Sequence, residues 1–460
     1  MLHTSTFGTL KNTAFNSSRV FKSILAYVSF KTKIDTITEI THPDNQVSQS
    51  SFDTIDRLKK YTVALYNRPN IVFEYGKGCY LYDANDRAYL DFTAGIAVNA
   101  LGHADPQVAR DLYDQAQKLV HTSNLYHNTP TSLLAEKLVE TTNLYSKQEW
   151  ANKVFLCNSG TEANEGALKF ARKWGKMVGG EKKTKLVCFK NAFHGRSMGA
   201  LSVTPNKKYQ DPCAPLIPDV SVLPFNNVYE IMHEVDESTA GVIVEPIQGE
   251  GGVHVADRDF IKALRERCTQ TNSLLIFDEI QCGLGRSGKM WAHQHYDSSC
   301  TPDILTMAKP LANGVPIGAL MTTNKVAEAI KIGDHGTTFG GNPLSATVAL
   351  GVVDRITNPH FLKKVDEVSH AIRRDLKALQ DEYPEVIKEV RGEGLLLGVE
   401  FFKNPEPMVK YARERGLLLV AAGSNTIRII PPLILTKAEA REGIARFSGA
   451  IDKFASSMKK

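Results

Sequence analysis

The sequence has no apolar run that approaches the roughly eighteen residues a membrane span needs. It also has no C-x-x-C pair, no internal repeat and no low-complexity block. The seven cysteines are scattered and odd in number, which argues against a disulfide framework and a cysteine-ligated zinc site and favours free thiols in a reducing compartment. At 460 residues and 42% apolar content, the chain is instead expected to form a globular protein of two or three domains.

Acidic residues are missing from the first 33 positions, where five basic residues occur: Lys11, Arg19, Lys22, Lys31 and Lys33. Without those five, the chain has 50 basic and 50 acidic residues, so the net charge of +5 does not indicate a nucleic-acid partner. The segment is rich in Ser and Thr, and apolar residues recur at helical spacing at Phe21, Ile24, Leu25 and Val28. A basic, amphipathic, acid-free N-terminus is typical of a mitochondrial presequence, here residues 1–35, and the alternative is a disordered basic tail. We therefore expect a location in the mitochondrial matrix and no membrane association.

Short apolar runs alternate with helical or glycine-containing stretches between residues 150 and 345. The runs are KVFLC, KLVCF, GVIVE, LLIF and ILTM. This alternation predicts an α/β fold with a mostly parallel sheet covered by helices. Helical periodicity also covers residues 106–120 and 131–146. We assign residues 96–345 to this large domain.

The flanking regions predict a smaller α+β domain, made of residues 36–95 and 346–460. The first part has a linker, a short helix and a hairpin with strands Tyr80–Tyr82 and Tyr89–Phe92. In the second part, a helix begins after Asn342-Pro343, residues 361–382 are amphipathic, RGEGLLLGVEFF reads as two strands, and a closing helix starts at Thr436.

An acid and a lysine follow two of the predicted buried strands. Asp278 ends the run LLIFD, and Lys309 lies just beyond the strand Ile304–Met307. The carboxyl ends of parallel strands are where open α/β sheets bind ligands. Pyridoxal 5′-phosphate needs both groups, because a lysine holds it as a Schiff base and an acid pairs with its pyridinium nitrogen. The two residues therefore predict a pyridoxal phosphate site, whereas either alone could be an ordinary surface residue.

The segment KVFLCNSGTEANE predicts a phosphate site. Ser159 and Glu162 form an S-x-x-E capping box after a strand, so Gly160 and Thr161 would lie at a helix N-terminus. Free N–H groups and the helix dipole bind phosphate at such a position. A simple capped helix would carry the same pattern.

Two further strands end in polar residues. Phe193, His194 and Arg196 follow KLVCF: an aromatic face can stack on a pyridine ring, and the planar guanidinium of an arginine can hold a carboxylate. Phe193 could equally be a core residue, Arg196 a surface residue and His194 a hydrogen-bonded structural histidine. Glu245 and Glu250, in VEPIQGE, could be an acid–base pair or could restrain a mobile arginine.

Two other patterns are weaker. GLGRSG fits G-x-G-x-x-G, but the residues DEIQC separate it from its strand and no amphipathic helix follows, so a dinucleotide site is disfavoured. His293 and His295 lack a third ligand in view, so no metal site is predicted.

Taken together, these motifs resemble those of the class III, pyridoxal-phosphate-dependent aminotransferases, the ornithine, acetylornithine and 4-aminobutyrate group. The resemblance runs from about residue 60 to the C-terminus, with these segments in family order: NSGTEANE, EPIQGEGG, FDEIQCGLGRSGK, AKPLANGVPIGA, HGTTFGGNP and IRIIPPL. It implies the type I fold of pyridoxal-phosphate-dependent transferases. TAGIAVNALGH and AFHGRS are most similar to members that act on N²-acetylornithine with 2-oxoglutarate and glutamate, in arginine biosynthesis.

The resemblance also implies roles for cofactor-binding residues. Lys309 would hold the cofactor covalently and move a proton, and Asp278 would keep the pyridine nitrogen protonated. Gln281 would contact the ring oxygen and Phe193 would stack on the ring. Gly160 and Thr161 would bind the phosphate, together with Thr338 from a second subunit, which implies a homodimer with shared active sites.

Substrate roles follow from the same resemblance. Arg196 would hold the α-carboxylate of acetylornithine, with Thr337 nearby, and Arg428 would hold a carboxylate of glutamate or 2-oxoglutarate. Glu250 would neutralise Arg428 when other substrates are bound. One departure stands out: the usual glycine-rich PLGGG after the lysine is PLANG here, which leaves the path of that loop open.

Other functions remain open on the sequence. Ornithine and 4-aminobutyrate aminotransferases share the chemistry, and a tryptophan usually replaces His194 in the ornithine enzymes. An aminomutase or racemase on the same fold would need no amino acceptor, a non-catalytic binding protein would not need Lys309 and Asp278, and a dehydrogenase would depend on GLGRSG.

The leader generates a first prediction. Because residues 1–35 resemble a presequence, the protein purified from mitochondria should begin near residue 36. N-terminal sequencing measures this directly, and a mature protein that begins at Met1 contradicts the assignment.

Overall fold

The computed structural model describes residues 34–458. The predicted presequence lies outside the described residues, except for Ile34 and Asp35. Within the described part of the chain, none of the helices combines the length and the apolar character that a bilayer crossing requires.

Seventeen strands form four sheets within the described residues. They are β1 Phe73–Lys77, β2 Tyr80–Asp83, β3 Ala88–Asp91, β4 Lys153–Cys157, β5 Lys185–Phe189, β6 Val220–Leu223, β7 Thr239–Val244, β8 Ile247–Gln248, β9 His254–Val255, β10 Leu274–Asp278, β11 Ile304–Met307, β12 Gly318–Thr322, β13 Ile387–Glu393, β14 Leu396–Phe401, β15 Leu417–Leu418, β16 Val420–Ala422 and β17 Thr426–Ile429.

Thirteen right-handed helices accompany them in the same residues. They are α1 Gln49–Tyr61, α2 Pro106–Ala116, α3 Thr129–Ser146, α4 Gly160–Gly179, α5 Met198–Ser202, α6 Lys207–Gln210, α7 Val228–Glu234, α8 Arg258–Gln270, α9 Asn324–Ala327, α10 Pro343–Ile356, α11 Pro359–Glu382, α12 Glu406–Arg413 and α13 Lys437–Met458. Two short 3₁₀ segments cover Asp211–Cys213 and Ala292–His295.

The central sheet has seven strands in the order β4-β12-β11-β10-β7-β5-β6. The expectation of a mostly parallel sheet is confirmed, because only β12 runs antiparallel to its two neighbours. β7, β10, β11 and β12 are buried along their whole length. Strands covered on both faces need continuous apolar sequence, which is why LLIF and ILTM were visible as short runs.

Two smaller sheets flank this core. β13, β14, β17 and β16 form an antiparallel sheet, and β15 joins the hairpin strands β1–β3 by pairing parallel to β3. The predicted hairpin is confirmed, since Tyr80 pairs with Leu90 and Tyr82 with Ala88. β15 therefore connects residues before the central sheet to residues after it.

A left-handed turn, Ala94–Ala97, lies between β3 and α2. All four residues have positive φ, from 46° to 65°, and Ile96 is β-branched. A left-handed conformation costs an L-residue roughly 1–2 kcal/mol. The turn is held at its start by the buried carboxylate of Asp91, whose Oδ1 accepts hydrogen bonds from Thr93 N, Thr93 Oγ1 and Ala94 N. Asp91 Oδ2 also contacts His103 Nε2 at 2.9 Å, so one carboxylate joins both ends of the segment.

The N-terminal strip of the described chain packs on α13. Ile37 N donates to Ala445 O at 3.0 Å, and a Cβ added to Gly449 would lie 1.8 Å from Ile37 O. Gly449 therefore permits the strip to approach the helix backbone.

Gly449→Ala should consequently destabilise the protein by about 1–3 kcal/mol, as overpacking does. An unobstructed glycine-to-alanine change inside a helix would instead stabilise it by about 0.5–1 kcal/mol, so the sign of the effect is diagnostic. Urea unfolding measures the free-energy change, and a stabilised variant would mean that the strip is not docked on α13.

Candidate active site

The candidate site is a cavity of about 470 Å³ at the carboxyl ends of the central strands. Asp278 ends β10, Lys309 follows β11 by two residues, and the two strands are parallel neighbours. Eight of the sequence-predicted site residues line this cavity: Gly160, Thr161, Phe193, Arg196, Glu250, Asp278, Gln281 and Lys309. A larger cavity of about 620 Å³ lies by Tyr145 and Asp366 and contains none of them.

Asp278 is buried without a lysine or arginine partner among residues 34–458. Its Oδ2 accepts hydrogen bonds from His194 Nδ1 at 2.7 Å and Asn164 Nδ2 at 2.8 Å, and its Oδ1 accepts from Ile280 N at 3.0 Å. Three donors therefore replace the lost hydration of the carboxylate. These three donors stabilise the carboxylate inside the cavity and fix its orientation.

Two residues of this network were missed from the sequence, Asn164 and Thr306. Asn164 Oδ1 accepts from Thr306 Oγ1 at 2.8 Å, which orients the amide so that its Nδ2 faces Asp278. Both residues are fully buried. A polar residue on the buried face of α4, beside Ala163 and Ala167, was the available signal.

His194 is buried and hydrogen-bonded to Asp278. With Nδ1–H donated to the carboxylate, Nε2 faces no partner among the described residues. The backbone N–H of His194 donates to Thr204 Oγ1 at 2.8 Å, which fixes the chain at this position. The interpretation of His194 as a hydrogen-bonded histidine therefore agrees with its contacts, and its partner is the site acid.

The N-terminus of α4 offers a cradle for a phosphate. In the described chain, Gly160 N and Thr161 N have no acceptor. Gly195 has φ +136°, and a Cβ added to it would lie 2.3 Å from Thr161 Oγ1. Thr161 Oγ1 also contacts Ser197 Oγ at 2.7 Å. Free N–H groups beside a hydroxyl at a helix N-terminus fit an anionic group.

The predicted capping box was half wrong. Ser159 Oγ does accept from Glu162 N at 3.3 Å, but the Glu162 carboxylate accepts from Asn158 N at 2.8 Å rather than from Ser159 N. Glu162 also accepts from Asn158 Nδ2, at 2.9 Å. The carboxylate reaches one residue further back because Asn158 offers it two donors.

Phe193 lies beside Glu245, which is buried. Phe193 N and Gly249 N donate to the two oxygens of the Glu245 carboxyl at 2.9 Å and 3.0 Å. Burial, with Asp278 nearby, raises the pKa of Glu245 above its ordinary value. Glu245 and Glu250 are therefore not equivalent, because only Glu250 pairs with an arginine.

Lys309 has no hydrogen-bond or ion-pair partner for its amine among the described residues. Burial lowers its pKa, and the charge of Arg428 lowers the pKa further, whereas Asp278 opposes the change. The lysine is thereby biased toward the neutral amine, which is the nucleophilic form.

Arg428, on β17, is fully buried behind the cavity. It donates to Gln281 Oε1 at 2.7 Å and to Glu250 Oε2 at 2.9 Å, and Glu250 remains partly exposed. Gln281, predicted to contact a ring oxygen, thus also accepts from this arginine. A competing carboxylate could reach Arg428 from the exposed side of Glu250 and displace Glu250.

The remaining predicted residues are less enclosed. Arg196 is exposed, with its guanidinium carbon 4.6 Å from the ring centre of Tyr209. Thr337 reaches the site only through Asn158, whose Nδ2 donates to Thr337 Oγ1 at 3.0 Å. Thr338 is exposed and does not line the cavity within this chain.

The structure defines the path of the PLANG loop after Lys309, which the sequence left open. Leu311 and Ala312 are buried in the main core. Asn313 adopts a left-handed conformation, φ 46°, before Gly314. The non-glycine residues therefore anchor the loop.

Comparison with known proteins gives a consistent result. The family model for class-III aminotransferases matches residues 62–451. A curated relative, the mitochondrial acetylornithine aminotransferase of Neurospora crassa, is 48% identical over 410 residues, which cover 89% of each protein.

Two solved structures share the fold. The ornithine aminotransferase of Toxoplasma gondii has a TM-score of 0.82 at 32% identity and covers 89% of this chain and 97% of its own. The N-acetylornithine aminotransferase of Stenotrophomonas maltophilia has a TM-score of 0.74 at 35% identity and covers 88% of this chain and 100% of its own.

The electrostatics of the cavity generate a prediction for Arg428. Arg428→Gln removes a cation that disfavours protonated Lys309, so the pKa of Lys309 should rise and its neutral fraction at a given pH should fall. The rate at which a small acylating reagent modifies Lys309 in cofactor-free protein, followed against pH by mass spectrometry, measures the shift. Arg428→Lys keeps the charge and is the control; equal profiles in all three proteins would contradict the assignment.

Proposed function

Because this chain belongs to the class-III aminotransferase family, we propose that it is a pyridoxal-phosphate-dependent N²-acetylornithine:2-oxoglutarate 5-aminotransferase of arginine biosynthesis. The observation that carries the chemistry is the pair Asp278 and Lys309 at the ends of two adjacent parallel strands. The substrate follows from the name of the curated relative at 48% identity.

The residues of the cavity fit the cofactor. The phosphate would be held by the free N–H groups of Gly160 and Thr161 and by the Thr161 hydroxyl, and the ring by Phe193 and Asp278. When bound, pyridoxal phosphate withdraws electrons from the substrate carbon and stores the amino group between two half-reactions.

Lys309 and Asp278 would act on two different protons. The buried amine of Lys309, biased toward its neutral form, would hold the cofactor and, once the substrate amine has displaced it, would be the base that accepts a proton from the substrate carbon. The carboxylate of Asp278, oriented by His194 and Asn164, would keep a proton on the ring nitrogen. In a site shielded from water such a pair is strong.

The two substrates differ in charge, so the site needs an arginine that is free for one substrate and neutralised for the other. We assign the α-carboxylate of acetylornithine to Arg196 with Thr337, and a carboxylate of 2-oxoglutarate or glutamate to Arg428. Glu250 pairs with Arg428 at 2.9 Å. A partly exposed Glu250 can be displaced while Arg428, buried and held by Gln281, stays in place.

Ornithine is the second candidate substrate, since the Toxoplasma structure named for that activity has the higher TM-score. His194, where ornithine aminotransferases usually carry a tryptophan, favours the acetylated substrate.

We infer a homodimer with shared sites. Large apolar side chains remain exposed around Thr338: Leu119, Val120, Leu125, Tyr126 and Phe339. Asn124 Nδ2 donates to the carbonyl oxygens of Thr337 and Gly340, so the two segments form one surface. Exposed apolar patches of this kind mark protein interfaces, and a second copy would bring its Thr338 to this chain's phosphate site.

The location we propose is the mitochondrial matrix, because the curated relative is named mitochondrial and residues 1–35 have presequence character. We propose the domain division stated above, with residues 96–345 as the cofactor-binding domain and residues 36–95 and 346–460 as the small domain.

The function is tested by the absorbance of the purified, cofactor-saturated protein. N²-acetylornithine alone should shift the band of the bound cofactor to that of its aminated form, and 2-oxoglutarate should restore it, as in ping-pong transfer. Lys309→Ala is the control that should lose the lysine-linked band and nearly all turnover. A wild-type band that responds to ornithine or 4-aminobutyrate but not to acetylornithine would refute the substrate assignment, and active Lys309→Ala protein would refute the chemistry.

The shared site is tested by complementation. Thr338→Ala should weaken cofactor affinity about tenfold, the cost of one hydrogen bond to a charged group. A dimer that pairs one Lys309→Ala subunit with one Thr338→Ala subunit contains one intact site only if Thr338 acts across the interface. Co-expression with two affinity tags isolates this dimer, and its cofactor titration should show one site of wild-type affinity; a weak site alone would place Thr338 in its own subunit's site.

A further inference from the structure

Two walls of the cavity come from loops that are distant in sequence. Val98, directly after the left-handed turn Ala94–Ala97, lines one side, and Gly314–Ile317, after Lys309, line another. The two loops touch, because a Cβ added to Gly314 would lie 3.2 Å from Asn99 Oδ1. The shape of this part of the cavity therefore depends on how the two loops are joined.

The side chain of Asn313 joins them. Its Oδ1 accepts from Leu101 N at 2.8 Å, and its Nδ2 donates to Gly102 O at 3.0 Å, across more than 200 residues of sequence. A primary amide offers both the acceptor for Leu101 N and the donor for Gly102 O. Asparagine is also one of the few residues that tolerate the left-handed conformation found here, φ 46°.

The joined segment needs such a restraint. Residues 94–97 are all left-handed and include the β-branched Ile96, a path that persists only when its surroundings hold it. Asp91 fixes the start of the segment and contacts His103 at its end. Between these points, Asn313 holds Leu101 and Gly102, and so keeps Val98 at the cavity.

We propose that Asn313 is a positioning residue that sets one wall of the active site by clamping the 98–102 segment to the lysine loop. As an account of substrate binding, it rests on the proposed function. The clamp controls substrate fit more than proton transfer, because Lys309 itself is held by β11 on one side and by buried Leu311 on the other.

Asn313→Gly tests this without backbone strain, since glycine accepts the same φ. We expect KM for N²-acetylornithine to rise about three- to tenfold with kcat changed less than about twofold, as expected when hydrogen bonds that shape a binding wall are lost. The matched control is Asn272→Gly, which replaces another left-handed asparagine, φ 51°, on the exposed turn before β10. The control should retain wild-type kinetics.

Hydrogen exchange supplies a readout independent of substrate. In Asn313→Gly, the amide of Leu101 should exchange roughly tenfold faster, because it loses its acceptor, while amides of β11 keep wild-type protection. If the wild-type protein does not turn over N²-acetylornithine, the proposed function is wrong. The exchange rate of the Leu101 amide still decides whether the clamp exists.

Three results would overturn the proposal: unchanged KM beside normal kcat, a fall in kcat with KM unchanged, or unaltered exchange at Leu101. If Asn313→Gly does not fold, Asn313→Asp provides the second variant. It keeps an acceptor for Leu101 N but loses the donor to Gly102 O, so KM should still rise, and wild-type KM would contradict the clamp.

Discussion

The active site depends on a buried carboxylate without a lysine or arginine partner in the described chain. Asp278 can remain in the cavity because His194, Asn164 and the N–H of Ile280 replace its water. Each donor comes from a different element, namely the loop after β5, helix α4 and the turn after β10. The same requirement explains Thr306, whose hydroxyl orients the amide of Asn164. His194, Asn164 and Thr306 therefore all help to stabilise the carboxylate of Asp278.

A second constraint acts on the walls of the cavity. The chain accepts four left-handed residues at Ala94–Ala97 because Asp91 and Asn313 hold the segment on two sides. Strain of this kind is kept where a precise backbone path matters. Asn313 joins that path to the loop that carries Lys309, so strands position Asp278 and Lys309 while a clamped pair of loops forms one wall of the cavity.

Much of the fold was readable because the buried strands are short, continuous apolar runs. LLIF, ILTM, KVFLC and KLVCF became strands of the central sheet, and polar residues at their ends came to line the cavity. β12 was missed, since Pro316, Gly318 and Ala319 in VPIGALMT are residue types that are depleted in strands. The capping box was half wrong because local spacing could not show that Asn158 would offer Glu162 two donors.

The sequence by itself determined the strand-end acid and lysine, the capped helix that begins at Gly160, and the family, since these depend on local pattern and motif order. Tertiary structure alone decided the rest. Asn164 and Thr306 meet Asp278, and Asn313 meets Leu101 and Gly102, only after folding brings residues more than 100 positions apart within hydrogen-bond distance. Such contacts leave no periodic signal, because they arise from the packing of separate elements and not from neighbours along the chain.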